Sequence, residues 1–405
     1  MTLIADDHDP CPCGSGKTFE KCCRAASEAK APEKVIAPTA VERSELVAML
    51  NAGQHAKLER QLHSLLERHP DSAFIWNLLG VSLEMQGKGG LSALHKASAL
   101  LPEDAEIQNN LGNALSDMGR ADEAEARYRL ALVLNPDFFG AYGNLGSMLR
   151  TQGKLNEALA CFQEQLRLAP GDTVIAHHIA AITGSNTECA PEQYVEKVFD
   201  EYAEEFDAHL QQVLRYEAPE KLVALVTGNA TPPPEKWNVL DLGCGTGLVG
   251  VAIAPFARHL VGVDLSSKML EKAQARQLYH RLERSDLLTM MRSEAASSYD
   301  VIILADVFIY IGKVDEIIAE VRRLLCPGGV VAFSIETLDA SLNEGPSQSV
   351  QLDYQLRDTG RYAQSVAYME RLASAFGFTI KAMVATPIRV EGGKPVNGYL
   401  ALWET

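Results

Sequence analysis

The sequence has few of the features that mark membrane or secreted proteins. No stretch reaches the ~18 uncharged apolar residues of a membrane-spanning helix, and the N-terminal segment MTLIADDHDP has neither the basic start nor the apolar core of a signal peptide. Cysteine is scarce and unevenly placed, since four of the eight cysteines lie between positions 11 and 23, unlike a disulfide framework. These absences favour a reducing compartment, and we expect a cytoplasmic protein with no membrane-embedded part.

The chain also has fewer basic than acidic residues. The chain has 37 Lys and Arg against 53 Asp and Glu, which gives a formal net charge of -16. This excess of acids disfavours direct binding to nucleic-acid phosphates and to anionic membranes. Apolar residues make up 47% and charged residues 22%, as in soluble globular proteins. A length of 405 residues predicts two or three domains.

The region from residue 39 to residue 185 contains an internal repeat. Its later glycines, and all of its successive prolines, are 34 residues apart, which is the period of a helix-turn-helix repeat. The recurring positions are Gly80, Gly112, Gly146, Pro102, Pro136 and Pro170. From Gly87 to Pro102 there are 15 residues where the later copies have 17, so we expect a shortened or shifted second helix in the first copy. The segment 51–70 looks like a degenerate capping copy.

These copies resemble the tetratricopeptide repeat. In the second copy the family's packing positions are matched by Leu111, Gly112, Ala124, Tyr128, Ala131 and Pro136. The resemblance implies an all-α solenoid that serves either as a spacer or oligomerisation surface, or as a groove for a peptide. Asn110 and Asn144 occupy one repeat position. In similar repeats of glycosyltransferases that modify proteins, such asparagines hold peptide backbone, but a repeat asparagine can equally bond a neighbouring helix.

From residue 190 onward, apolar runs of strand length alternate with helical stretches, which predicts a parallel α/β sheet. The predicted strands are seven: 237–243, 259–265, a short one near 279–283, 299–307, 329–336, 378–385 and 398–404. The first runs into the glycine turn VLDLGCGTG, and Asp241, Asp264 and Asp286 stand at three successive strand ends. Three acids in these places suit a cationic ligand with a ribose, although the glycines could serve the turn alone and Asp264 could cap the next helix.

In this region the chain resembles a class I S-adenosylmethionine-dependent methyltransferase, and the order of its segments is similar to bacterial methyltransferases that carry tetratricopeptide repeats. The resemblance implies S-adenosylmethionine as cofactor and a seven-stranded Rossmann-like fold. It implies that the glycines cradle the methionine part with Asp241 near its ammonium, that Asp264 holds the ribose, and that Asp286 and Leu287 contact the adenine. The segment 198–210 resembles the lid helix that covers the site in this family, and its alternative role is an amphipathic packing face. The implied contacts are Asp241, Gly243, Gly245, Gly247, Asp264, Leu265, Asp286, Leu287, Ala305 and Tyr202, with Phe206 beside Tyr202 in the lid.

Fewer sequence motifs indicate the residues that bind and activate the methyl acceptor. Methyl transfer to a hydroxyl or a protonated amine requires a base, and Asp306, Tyr310 and Glu336 are candidates at strand ends. The segment TGRYAQSVAYMERL predicts a helix whose start carries Arg361 and Tyr362, and a cationic helix start would suit an anionic acceptor. It is similar to a segment of the repeat-bearing methyltransferases in which His often stands at the place of Gln364.

The N-terminal stretch CPCGSGKTFEKCC remains to be explained. As a phosphate loop it lacks the required first glycine, and its spacing is not the C-x-x-C of thiol exchange. Four sulfurs within so short a stretch can close a tetrahedral zinc site. The stretch also looks like the SEC-C motif, whose four ligand positions are matched by Cys11, Cys13, Cys22 and Cys23. The resemblance implies structural zinc and a protein or ribosome contact.

These patterns predict a multidomain protein with three parts. They are a SEC-C zinc-binding motif with its linker over residues 1–30, an all-α repeat solenoid over 39–185, and an α/β methyltransferase domain over 190–405. We expect a methyltransferase whose repeats and zinc motif recruit a protein or peptide acceptor. The alternatives are a small-molecule acceptor with the repeats used for assembly, and a scaffold with a vestigial cofactor domain. The three acids together favour an enzyme, and the oligomeric state stays open.

Overall fold

The computed structural model describes residues 39–204, 206–212, 214, 216–229, 236–338, 352–391 and 393–405. The chain falls into two compact units, Met1–Cys161 and Phe162–Thr405. The predicted zinc motif and its four cysteines lie outside the described residues. The division comes before the expected boundary between residues 185 and 190, which stays a prediction.

The first unit consists, in its described part, of helices in successive pairs. They are α1 (Ala40–Asn51), α2 (His55–Arg68), α3 (Ala73–Glu84), α4 (Leu91–Leu100), α5 (Ala105–Asp117), α6 (Ala121–Leu134), α7 (Phe139–Thr151) and the beginning of α8 (Leu155–Leu168). Helix α4 has 10 residues, whereas α6 and α8, its counterparts in the later copies, have 14. The shortening predicted for the first copy is therefore confirmed.

A glycine sets the close packing within the second repeat. A Cβ atom placed on Gly112 of α5 would lie 2.6 Å from the ring of Tyr128 on α6. Tyr128 is buried at this contact, and the small residue lets the ring reach the helix backbone. The large and small positions of the repeat therefore face each other across the helix pair.

Asparagine side chains connect the first helices of successive repeats. Asn110 donates to Oδ1 of Asn77 at 3.1 Å, and Asn144 donates to Oδ1 of Asn109 at 3.0 Å and to that of Asn113 at 2.9 Å. Asn110 and Asn144 were considered either as ligands of peptide backbone or as bonds to a neighbouring helix. In the structure both side chains bond a neighbouring helix.

The second unit is built on a seven-stranded sheet. From the end of α8 the chain continues through α9 (Thr173–Thr183), α10 (Glu192–Tyr202), α11 (Phe206–Gln212), α12 (Ala218–Asn229), β1 (Trp237–Leu242), α13 (Leu248–Ile253), β2 (Ala257–Asp264), α14 (Ser267–Ala275), β3 (Arg281–Arg284), α15 (Leu287–Ser293), β4 (Tyr299–Leu304), α16 (Asp315–Leu324), β5 (Leu325–Glu336), β6 (Tyr354–Leu356), β7 (Tyr362–Gln364), α17 (Val366–Ala375), β8 (Thr379–Glu391) and β9 (Lys394–Glu404). The strand order is β3-β2-β1-β4-β5-β9-β8. The first five of these strands are parallel, and β9 is antiparallel to both of its neighbours. All seven predicted strands are present.

Apolar side chains cover both faces of this sheet. On β1, Leu240 packs with residues of α15, α16 and α17, whereas the adjacent Val239 packs with residues of α12 and α13. Successive residues of a strand point to opposite faces. Burial of both faces explains why the strands read as continuous apolar runs rather than alternating ones.

The segment around Arg361 differs from the prediction. Tyr362–Gln364 is the strand β7, which pairs with β6 as a separate two-stranded sheet, and helix α17 begins only at Val366. Ser365 caps this helix by accepting the backbone N–H of Tyr368 at 3.2 Å. Arg361 therefore precedes a strand that Tyr362 begins, and the predicted helix start at these residues is wrong.

In the part of the chain that the structure describes, the helices are all too short or too polar to cross a bilayer.

Candidate functional site

A cavity of about 420 Å³ opens at the carboxyl ends of the parallel strands in the second unit. Residues at or just beyond the ends of four neighbouring strands line it, among them Gly243, Asp264, Asp286 and Ala305. This is the place at which open α/β sheets bind ligands. The predicted site residues that line it are Tyr202, Gly243, Gly245, Asp264, Leu265, Asp286, Leu287, Ala305, Asp306, Tyr310 and Arg361.

The glycine turn after β1 brings backbone to the cavity. Gly243 has φ +70°, and a Cβ atom on it would lie 2.6 Å from Cγ2 of Val307. The backbone N–H of Gly243 donates to the carbonyl of Val263 at 2.8 Å, which ties the turn to β2. The nearest atom to a Cβ on Gly245 belongs to Phe206, at 3.9 Å. Gly247 is the N-cap of α13 and does not line the cavity.

The carboxylate of Asp264 is held by two backbone amides. Gly245 donates to Oδ2 at 2.8 Å and Ser266 donates to Oδ1 at 2.9 Å. Burial raises the pKa of Asp264, and these backbone hydrogen bonds oppose the shift. The helix-capping role considered for Asp264 belongs to Ser266, whose hydroxyl accepts the N–H of Met269 at 3.1 Å. Asp264 is therefore fixed in orientation while its carboxylate lines the cavity.

Asp241 lies beneath the glycine turn rather than in the cavity lining. It is fully buried, and its Oδ2 accepts a 2.6 Å hydrogen bond from the hydroxyl of Tyr279. Among the described residues no group hydrogen-bonds to its Oδ1. Burial raises the pKa of Asp241 to about 7, against the lowering effect of Tyr279. Sequence reasoning missed Tyr279, which carries no motif signal and is recognisable only from the fold.

Asp286 follows β3 and begins the next helix. Its Oδ1 accepts the backbone N–H of Thr289 at 2.9 Å, which makes it the N-cap of α15. Asp286 lines the cavity together with Leu287 and Leu265. A carboxylate flanked by two leucines is thus available beside the end of β2.

Helices α10 and α11 cover one side of the cavity with aromatic rings. Phe199, Tyr202 and Phe206 all line it, with ring centroids of 5.9 Å between Phe199 and Phe206 and 5.2 Å between Tyr202 and Phe206. Asp207 fastens α11 by accepting from the hydroxyl of Thr246 and from the guanidinium of Arg276, each at 2.5 Å. These contacts join the lid to the segments that follow β1 and β2.

Asp306, two residues after β4, has a strained backbone conformation and several polar contacts. It has φ +54°, a region that costs a non-glycine residue about 1–3 kcal/mol. Its backbone N–H donates to Oγ of Ser334 at 2.7 Å, and the same hydroxyl donates to its Oδ1 at 2.8 Å. Burial raises the pKa of Asp306, while Arg389, whose Nη1 lies 3.1 Å from Oδ2, opposes this shift.

Two arginines reach the cavity from this side. Arg389 on β8 binds Asp306, Glu336 and Glu391 at once, and its Nε lies 2.7 Å from Oε1 of Glu391. Arg361 also pairs with Glu391. Both arginines line the cavity, whereas Glu336 is buried behind Arg389 and does not. Sequence reasoning missed Arg389 because it lies in a strand whose predicted segment ended before it.

Tyr362 and Gln364 do not reach the cavity lining. Tyr362 is fully buried, and its hydroxyl lies 2.5 Å from that of Thr187, so the structure does not bring this predicted catalytic residue to the site. Gln364 donates to the carbonyls of Phe308 at 2.9 Å and Ile311 at 2.8 Å. It therefore holds the turn that carries Tyr310 into the cavity.

The residues at this cavity are chemically suited to S-adenosylmethionine. The backbone at Gly245 is open, the Asp264 carboxylate is fixed by amides, and Asp241 keeps an unpaired oxygen in the interior. Among the described residues no cluster of three or more His, Cys, Asp or Glu side chains is arranged to hold a metal ion.

Family models match three parts of the sequence. A methyltransferase domain model matches residues 240–331, a tetratricopeptide repeat model matches residues 109–173, and a SEC-C motif model matches residues 9–25. The first match covers the glycine turn and the residues after β2, β3 and β4 that line the cavity, but not the lid helices, Arg361 or Arg389. The second covers the later helix pairs, and the third covers the N-terminal cysteines.

Known methyltransferases are similar to parts of this chain. Methyltransferase-like protein 27 of Homo sapiens is 31% identical over 183 residues, which are 44% of this chain and 72% of that protein. The malonyl-[acyl-carrier protein] O-methyltransferase of Halalkalibacterium halodurans is 32% identical over 151 residues, 35% of this chain and about half (54%) of that relative. The solved N-methyltransferase NodS of Bradyrhizobium japonicum, in complex with S-adenosyl-l-homocysteine, is 18% identical with a TM-score of 0.39, over 52% of this chain and 98% of that one.

Proposed function

This chain belongs to the family of S-adenosylmethionine-dependent methyltransferases, and we propose that it transfers a methyl group to an acceptor that enters the cavity beside Ala305, Asp306 and Tyr310. The observation that carries this proposal is the convergence of the glycine turn, Asp264 and Asp286 on one cavity at the strand ends. A scaffold with a vestigial site would have no physical need for such an arrangement.

We propose the following roles on the donor side. S-adenosylmethionine supplies a methyl group on a cationic sulfur, which makes the methyl carbon electrophilic. Asp264 accepts hydrogen bonds from the ribose hydroxyls, because its two oxygens are already oriented by Gly245 and Ser266. Asp286 and Leu287 meet the adenine. Asp241 stabilises the positive charge of the amino-acid part through its unpaired oxygen.

The remaining residues act by positioning and by excluding water. The lid rings of Phe199, Tyr202 and Phe206 shield the cavity, and alignment of reactants in a dry site supplies much of the rate of a displacement reaction. We propose that Tyr310 and Arg361 contact the acceptor. Asp306 serves to orient Arg389, to which it is ion-paired.

We further propose that the acceptor belongs to a protein or peptide that the repeats and the SEC-C motif recruit. The paired helices of the first unit support this, since solenoids of this kind present extended binding surfaces. The malonyl-[acyl-carrier protein] relative, by its name, also acts on a protein-borne group. A small-molecule acceptor is the second candidate, and the Ubiquinone biosynthesis O-methyltransferase of Caulobacter sp. favours it, with 28% identity over 133 residues.

The function is tested with a methyl-labelled donor and a cell extract. We expect label to leave the donor in the presence of the full-length protein and to be lost in Asp264→Asn. The matched control is Asp300→Asn: Asp300 also accepts a backbone N–H, that of Asn238 at 2.8 Å, but it does not line the cavity. Equal transfer by wild type and Asp264→Asn would contradict the proposed site. Label in protease-sensitive material would support a protein acceptor, and label in small molecules would support the second candidate.

For the N-terminal motif we propose that Cys11, Cys13, Cys22 and Cys23 bind one structural zinc ion. The match of the SEC-C model supports this. Four thiolates leave no open position on a tetrahedral ion, so zinc would have no catalytic part. Elemental analysis of protein purified without chelators should give about one zinc per chain. A Cys22→Ser and Cys23→Ser double variant with the same zinc content would contradict the assignment.

A further inference from the structure

We propose that the group methylated in this cavity is a carboxylate, held by Arg361, and that the product is a methyl ester. This inference rests on the proposed methyltransferase function and narrows its substrate class. It is carried by two independent features of the acceptor side: an arginine that faces the cavity with N–H donors left over, and the pairing of Asp306, Glu336 and Glu391 with arginines.

Arg361 is the arginine that an acceptor can reach. Its side chain is 27% exposed, whereas that of Arg389 is 3% exposed and is already shared among three carboxylates. A guanidinium has five N–H donors in a planar fork that matches the two oxygens of a carboxylate. The ion pair of Arg361 with Glu391 involves Nη1. Arg361 also hydrogen-bonds Tyr310. The remaining N–H donors of the fork can bind an incoming carboxylate at the cavity wall.

Neither of the two cavity-lining bases predicted from the sequence, Asp306 and Tyr310, is placed to remove a proton. Asp306 is bound by Ser334 and by Arg389. Burial raises the pKa of Tyr310, so that its hydroxyl stays protonated near neutral pH. A hydroxyl or ammonium acceptor would need a base. A carboxylate needs none, because its ordinary pKa is about 4 and it is already ionised.

The charged network beside Arg361 can also accept an anion. Arg357, Arg361 and Arg389 face Asp306, Glu336 and Glu391, so the network is balanced by itself. The sulfonium of the donor adds a positive charge, which a carboxylate would neutralise. Apolar side chains form much of the remaining wall, including Val195, Val198, Val307, Ile309 and Ile311. A reaction that removes two opposite charges is favoured in such a poorly solvated place.

The step balances without any further reactant. One carboxylate oxygen forms a bond to the methyl carbon as the bond between that carbon and sulfur breaks. The electron pair of the broken bond stays on sulfur, which becomes a neutral thioether, and the carboxylate becomes a neutral ester. No proton is transferred and nothing is oxidised or reduced.

The linkage of the transferred label tests this inference. Methyl esters release methanol in mild alkali, whereas methyl ethers and methylamines do not. We expect the label that the full-length protein transfers from methyl-labelled S-adenosylmethionine into a cell extract to become volatile after alkaline treatment. Alkali-stable label would overturn the carboxylate acceptor and leave the methyltransferase function standing. Absence of any label transfer would contradict both the carboxylate acceptor and the methyltransferase function.

The part of Arg361 is tested by substitution. Arg361→Gln should lower transfer about ten- to hundredfold, the loss expected for one hydrogen-bonded charge, and should raise the KM for the acceptor fraction more than it changes kcat. Binding of S-adenosylhomocysteine should be unchanged, which shows that the variant is folded. Arg371→Gln is the matched control, because Arg371 pairs with Asp353 on the surface. Unchanged transfer by Arg361→Gln would overturn the assignment.

Discussion

The hydroxyl of Tyr279 donates a 2.6 Å hydrogen bond to Oδ2 of Asp241, a carboxylate that is fully buried beneath the glycine turn. The Tyr279 ring lies against bare backbone, since a Cβ atom on Gly250 or on Gly262 would come within 2.5 Å or 2.7 Å of it. One side chain therefore connects the end of β1 with both β2 and α13. We infer that it fixes the carboxylate that faces the donor's amino-acid part.

Tyr279→Phe should weaken donor binding selectively. Removal of the hydroxyl leaves the buried carboxylate without its partner, at a cost of about 1–3 kcal/mol. We expect lower affinity for S-adenosylhomocysteine but unchanged affinity for 5′-methylthioadenosine, which lacks the amino-acid part. Calorimetric titration measures both. Tyr299→Phe is the control, because Tyr299 donates to Glu294 at 2.8 Å without lining the cavity. A parallel loss for both ligands would contradict a role specific to the amino-acid part.

Asp241 should make stability depend on pH. Its pKa is raised to about 7 in the folded protein, well above the ordinary value of about 4, so the folded state holds a proton that the unfolded state releases. The stabilisation is full below pH 4 and is lost as the pH rises through about 7, by at most about 1.4 kcal/mol per pH unit. Relative to Asp241→Asn, the free energy of unfolding should therefore fall between pH 5 and pH 7.

This measurement needs a signal from the second unit alone. The chain has three tryptophans, and Trp237 and Trp403 both lie in the sheet of the second unit. In a Trp76→Phe background, fluorescence during urea denaturation reports on that unit. The same pH dependence in wild type and in Asp241→Asn would exclude Asp241 as its source.

Gly243→Ala should destabilise the second unit by about 2–4 kcal/mol, since the substitution adds a steric clash to an unfavourable backbone region. The new Cβ would lie 2.6 Å from Val307 at φ +70°. Gly377→Ala is the matched control: it has φ +69° with no atom within 4 Å of the Cβ position, so only the backbone cost applies. Urea midpoints compare the two variants, and equal losses would mean that contact with Val307 is unimportant.

Arg389→Met should be among the most destabilising substitutions of the second unit. It leaves Asp306, Glu336 and Glu391 without their shared cation, and breaking a buried ion pair typically costs about 3–5 kcal/mol. The loss in free energy of unfolding should be smaller at acidic pH, because the carboxylates that lack Arg389 then become protonated. Arg292→Met removes an exposed pair with Glu316 and should cost less than about 1 kcal/mol. If the loss caused by Arg389→Met did not change with pH, unpaired carboxylates would not be its cause.

Local patterns predicted most of the fold and of the donor side of the site. The seven strands and the acids Asp264 and Asp286 are visible because each strand and the residue that follows it are contiguous in sequence. Tyr279 and Arg389 were missed since their partners are distant along the chain: Arg389 meets Asp306 across 83 residues. Such pairs depend on strand order, which apolar periodicity does not encode.

The segment that contains Tyr362 shows a second limit. The strand β7 has three residues, too few to display a period of two, and the helix that follows it dominates the local pattern. Tyr362 was therefore predicted at a helix start facing the acceptor, whereas in the strand its side chain is fully buried. Arg361, one residue earlier, reaches the cavity.

Titration of the full-length protein with S-adenosylhomocysteine tests donor binding at this cavity without any knowledge of the acceptor. We expect one binding site in wild type and in Asp300→Asn. We expect an affinity about ten- to hundredfold lower in Asp264→Asn, because a hydrogen-bonded carboxylate is neutralised. No binding by the wild-type protein, or equal binding by Asp264→Asn, would contradict donor binding at this cavity.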